Sequence, residues 1–96
     1  MEEVPNIGNL LEGREKRYGR FINQARISQE LKRAMRQSPN WSRLTDSQRE
    51  GLEMVQHKIA RMLNGDPAYM DNIVDIVGYA TLVMESMGDG ASKLWR

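Results

Sequence analysis

The apolar positions of this chain recur with a helical period and nowhere alternate with period two over a useful length, so helices are predicted and strands are not. From Arg20 to Gln37, Phe21, Ile27, Leu31, Ala34 and Met35 return to one face while Arg26, Arg33 and Arg36 return to the opposite one, the pattern of an amphipathic helix. Ser38-Pro39-Asn40-Trp41 breaks it, because proline disfavours helical geometry in the residue before it and brings no amide donor. Trp41 and Leu44 are expected to cover the end of the core. The next helix opens on Thr45-Asp46-Ser47-Gln48, where a hydroxyl and an amide at capping-box spacing can satisfy reciprocal backbone donors. Leu52, Val55, Ile59, Met62 and Leu63 then form its apolar stripe.

Asn64-Gly65-Asp66-Pro67 reads as a stop followed by a start. Gly65 is free to take the left-handed conformation that closes a helix, Asp66 to cap the next one and Pro67 to occupy its first turn. So tight a connection predicts an antiparallel pair. The third helix, Pro67 to Met87, carries Ile73, Val74, Ile76, Val77, Ala80, Val83, Met84 and Met87, more than half its circumference, and is expected to be central and buried against more than one neighbour. Upstream, Leu10 to Tyr18 predicts a short helical piece interrupted near Gly19. Residues 1–9 and 89–96 read as tails, the second with Leu94 and Trp95 available for packing, which leaves 10–88 as a single all-α domain. The predicted fold is thus all-α: three main helices plus a short N-terminal helical segment, with an antiparallel helical hairpin, in a helical-bundle oligomer.

Composition changes this picture in three ways. A chain of 96 residues, 40% hydrophobic, has room for one core and buries a modest fraction of its surface, so broad apolar stripes on several helices predict a homo-oligomer, at least a dimer. The absence of cysteine excludes disulfides, thiolate metal sites and cysteine nucleophiles. No signal-peptide pattern and no run of roughly 20 apolar residues is present, so a cytoplasmic protein without a membrane span is expected. The net charge is only +1, yet residues 1–49 hold ten Lys/Arg against six Asp/Glu and residues 50–96 hold four against seven. That layout suits head-to-tail helix packing, or a site pairing phosphate-binding cations with acidic groups.

Candidate chemistry follows from spacing. Glu50-x-x-Glu53 on the second long helix and Asn72-x-x-Asp75 on the third each stack two oxygen-bearing side chains one turn apart, and the hairpin is expected to bring them together. Such a cluster suits Mg²⁺ or Mn²⁺, with Glu50 and Glu53 as catalytic carboxylates and Glu50, Glu53, Asp75 and Asn72 as metal ligands. The competing expectation is a solvated polar face. Lys58 and Arg61, one turn apart, are candidate phosphate ligands or simply solvated cations. His57, the only histidine, is a candidate ligand or proton carrier, with a structural or exposed role as the default. Gln24 and Ser28 fall on the side of the first long helix expected to be buried, so they either tie helices together or address a ligand's base or ribose. Tyr18 and Phe21 are candidate base-stacking residues, with core packing the default for Phe21. The Arg26, Arg33 and Arg36 stripe is expected to be a solvent face, since no nucleic-acid-reading module accompanies it.

The paired motifs resemble those of the MazG-like all-α nucleoside triphosphate pyrophosphohydrolases, whose metal site uses E-x-x-E followed by E-x-x-D. The resemblance covers residues 46–87 and includes an aromatic, Tyr79, four residues after Asp75. It implies a metal-dependent reaction releasing pyrophosphate from a nucleotide. Asn72 stands where that family has glutamate, and an amide oxygen brings no charge to a metal. A second resemblance spans most of the chain. Arg17-Tyr18-Gly19-Arg20-Phe21, Ala25-Arg26-Ile27-Ser28-Gln29, His57-Lys58-Ile59-Ala60-Arg61 and Leu63-Asn64-Gly65-Asp66-Pro67 are similar to segments of a family of small bacteriophage proteins of unassigned function. It implies a phage product in a bacterial cytoplasm. Two functions are therefore expected: a MazG-like nucleotide-binding protein with or without turnover, or a non-catalytic accessory protein that binds a host protein or sequesters a nucleotide signal.

Overall fold

The computed structural model describes residues 6–88 and places there four α-helices: α1 (Ile7–Tyr18), α2 (Phe21–Arg36), α3 (Asp46–Asn64) and α4 (Met70–Ser86). A single 3₁₀ turn, Trp41–Arg43, stands between α2 and α3, and no strand occurs among the described residues. Leu94 and Trp95 lie outside them. Capping accounts for where two helices begin. Asn6 Oδ1 accepts the Asn9 amide at 3.2 Å, so α1 starts ahead of the expected Leu10. At α3 the capping box is complete: Gln48 N donates to Thr45 Oγ1 at 3.1 Å and Thr45 N to Gln48 Oε1 at 2.8 Å.

The Asn64–Pro67 connection differs from its expected form. Gly65 has φ −113°, outside the left-handed region. Glycine is required there for space, because a Cβ would overlap Arg17 O and Tyr18. Asp66 does not cap α4; its carboxylate accepts the Ala68 amide at 2.9 Å and its carbonyl the Tyr69 amide at 3.2 Å, a turn that delays α4 to Met70. Positive φ falls instead on Gly19, at 76° between α1 and α2, where a Cβ would overlap Asn64. These two glycines let the α3–α4 connection press into the α1–α2 corner. Asn64 Nδ2 donates to Tyr18 O at 2.9 Å and Arg20 O at 3.0 Å, and Asp66 N donates to Arg17 O at 2.8 Å.

The central helix is α3. It packs against α4 along one side, α2 along another and α1 near its end, whereas α4 packs chiefly on α3. Gly51, early in α3, meets Val83, late in α4, and Lys58 meets Asp75 across the same two helices. The sequence expectation that α4 is central and enclosed is therefore corrected.

Its cause is the polarity of the interior. Among the described residues the only buried hydrophobic is Ala60, while Gln24, Ser28, Gln56, Lys58 and Asn72 are all buried. Polar interlocks join the helices inside the chain: Gln56 Nε2 donates to Ser28 Oγ at 3.0 Å, and the hydroxyl returns a longer bond to Gln56 Oε1 at 3.4 Å. Much of the apolar stripes is only half-buried or exposed. Phe21, expected in the core, is 77% exposed, and Leu63, Val74 and Val77 are each more than half exposed.

Candidate functional site

The corner clamped by Asn64 and Asp66 holds Tyr18 against α3, and guanidinium groups gather around its ring. Arg61 Cζ lies 4.0 Å from the ring centroid, Arg14 Cζ 5.6 Å and Arg17 Cζ 5.8 Å, distances at which a cation is attracted to the aromatic face. Arg17 is also 5.8 Å from the Tyr69 ring, which meets Tyr18 edge-on at 6.0 Å. Among the described residues no carboxylate pairs with Arg14, Arg17 or Arg61. Neighbouring cations are matched: Lys58 by Asp75 at 3.0 Å, Arg20 by Glu15 at 4.0 Å, and both Lys32 (3.5 Å) and Arg36 (3.0 Å) by Glu53.

Beside Tyr18 a cleft of about 590 Å³ opens between α1, α2 and α3. Arg14 and Arg61 line it with Gln24 and His57, and Leu11 and Phe21 stand in its apolar part. Gln24 is 5% exposed, yet its amide makes no hydrogen bond within the described residues. Its amide atoms are not among the fully buried unpartnered ones, so they open to the cleft that Gln24 lines, where they can donate to and accept from a ligand. Burial, then the positive charges of Arg61, Lys58, Lys32 and Arg14, push the His57 imidazole below its ordinary value of 6.5. The cleft is therefore cationic, part apolar and equipped with neutral hydrogen-bonding groups, a combination suited to an organic anion.

A family model for DUF6378, a domain of unknown function, matches residues 6–87. The chain belongs to this family. No curated protein and no solved structure matches it.

In this DUF6378 chain the residues singled out from sequence go to three places. Tyr18, Gln24 and Arg61 come together in the cleft. Ser28 is buried in its bond to Gln56, and Lys58 in its ion pair with Asp75. The carboxylates separate. Glu53 turns toward α2 and its two cations, Glu50 lies exposed in a groove with Tyr79, Leu82 and Ser86, and Lys58 rather than Glu53 stands opposite Asp75. Among the described residues no three His, Asp or Glu side chains gather as a metal-holding group within one chain. Asn72 is 1% exposed and its Nδ2 has no hydrogen-bond partner.

Arg14 and Tyr69 were not singled out by sequence reasoning. Arg14 stands one helical turn before Tyr18, a spacing that puts both on one face of α1. Tyr69 carries no comparable signal, because its place against Tyr18 depends on the turn at Asp66. The outward placement of Phe21 was equally hidden, since a stripe calculation ranks faces without knowing which one finds a partner.

Proposed function

We propose that this protein is a homo-oligomeric nucleotide-binding protein of MazG-like type, a phage product working in a bacterial cytoplasm, that holds its ligand rather than turning it over. The observation that carries the reading is the cleft itself: two guanidiniums without carboxylate partners, a Gln24 amide free to hydrogen-bond and an apolar flank, around a half-open volume suited to a small organic ligand. Arginine is the residue suited to bidentate contact with phosphate, and Gln24 can address a base or ribose. The phage and MazG-like parts of the reading rest on the sequence resemblances.

Retention without turnover is favoured by the ion pairs. Glu53 and Asp75 already carry cationic partners, so a divalent ion would have to displace Lys32, Arg36 and Lys58. Assembly is favoured by the polar interior, because one fully buried hydrophobic among the described residues leaves little of the apolar burial that ordinarily offsets conformational entropy. Covering the exposed stripes with further copies supplies that burial.

Titration calorimetry of the full chain against nucleotides, paired with a pyrophosphate-release assay in Mg²⁺ or Mn²⁺, tests the proposal. Binding is expected, weakened about tenfold or more in Arg61→Ala through loss of a charge-assisted contact, with no pyrophosphate formed. Pyrophosphate release abolished by Glu53→Gln would overturn the retention reading in favour of the hydrolase. Binding of no nucleotide would overturn the assignment altogether.

A further inference from the structure

The charges around the cleft are unequal in a way that bears on which nucleotide fits. Arg14 and Arg61 line it without a carboxylate partner among the described residues, while Glu15, on the same wall, holds Arg20 at 4.0 Å. Lys32 and Lys58, which lie near enough to act on His57, are matched by Glu53 and Asp75. Arg17 stacks behind Tyr18 toward Tyr69 and does not line the cleft. The cleft therefore presents two positive charges without carboxylate partners, and its one lining carboxylate, Glu15, is shared with Arg20 and adds no site for a further anion.

We infer that the cleft selects a nucleotide carrying two negative charges, of which a nucleoside monophosphate is the simplest, over the bare triphosphate; this rests on the nucleotide-binding reading above. A phosphate monoester is mostly a dianion at pH 7.5, since its second ionisation lies at about pH 6. Its charge matches Arg14 and Arg61, both able to offer paired N–H donors. The base then has Leu11 and the 77%-exposed Phe21 ring to lie against, and the unpartnered Gln24 amide to hydrogen-bond. A free triphosphate brings further negative charge into a partly enclosed site whose remaining nearby carboxylate is Glu15, and uncompensated charge out of water is costly. Magnesium bound to the triphosphate cancels two of those charges, so it narrows the difference without requiring a metal site on the protein.

Calorimetry with the full chain at pH 7.5 in EDTA, using adenosine and guanosine mono-, di- and triphosphates, distinguishes the outcomes. At least one monophosphate is expected to bind about tenfold or more tightly than its triphosphate, a gap of about 1.4 kcal/mol or more. Glu15→Gln, at an exposed position, is expected to shrink that ratio, as is added Mg²⁺ with the wild-type chain. A triphosphate binding as tightly as its monophosphate in EDTA overturns the inference while leaving nucleotide binding intact. A ratio unchanged in Glu15→Gln overturns the charge account behind it. Failure of every nucleotide to bind overturns the underlying reading instead.

Discussion

At the scale of single residues, the interior is held by polar contacts whose loss has directional consequences. Ser28 and Gln56 are each other's partners in a buried bond between α2 and α3. Ser28→Ala leaves the glutamine amide short of a partner and is expected to cost about 1–3 kcal/mol, read as a lowered urea midpoint at unchanged slope. Replacing both, as Ser28→Ala with Gln56→Met, recovers part of that loss, because neither site then holds an orphaned group. His57 gives a pH signature. Its folded-state pKa lies below 6.5, so as pH falls through that value the unfolded chain takes up a proton more readily than the folded one. Stability from the neutral imidazole is present above pH 6.5 and declines below it. Thermal unfolding between pH 7.5 and 5 is therefore expected to show a smaller acid-induced loss for His57→Gln than for the parent chain.

At the scale of elements, the helices were legible in the sequence and their mutual arrangement was less so. The capping box at Thr45 was readable because its geometry is local, involving Thr45 and Gln48 alone. Thr45→Ala is expected to cost about 1 kcal/mol in chemical denaturation. Gly65 was readable as a punctuating glycine but for a different reason than the one that operates, because its neighbours Arg17 and Tyr18 are distant in sequence. Gly51 stands inside α3, where a glycine signals close approach of a neighbour. A Cβ there would press on Val83 Cγ2, so Gly51→Ala is expected to destabilise the α3–α4 contact by about 1–3 kcal/mol in the same assay. Of the candidate site, Tyr18, Gln24 and Arg61 were visible as residue types. Their convergence was not, because it depends on Asn64 and Asp66 hydrogen-bonding to the α1–α2 corner.

At the scale of the whole molecule, buried polar side chains join the helices while much apolar surface stays exposed, with α4 the clearest case. Asp75 and Val83 face α3, while Ile73 and Val77 remain exposed on other parts of the helix. Ile76, Val77, Ala80, Thr81 and Met84 line an apolar groove of about 260 Å³, one of the surfaces the proposed assembly would cover. Val77→Glu, placing a charge there, is expected to reduce the assembled mass in sedimentation and to lower the unfolding midpoint together, because the proposed assembly would bury this groove. The account joins this assembly to the cationic cleft, and native mass spectrometry after incubation with nucleotides reads both at once. It predicts a species of two or more 11.1 kDa chains retaining nucleotide, with retention lost in Arg61→Ala. Single chains of 11.1 kDa carrying no nucleotide would contradict it.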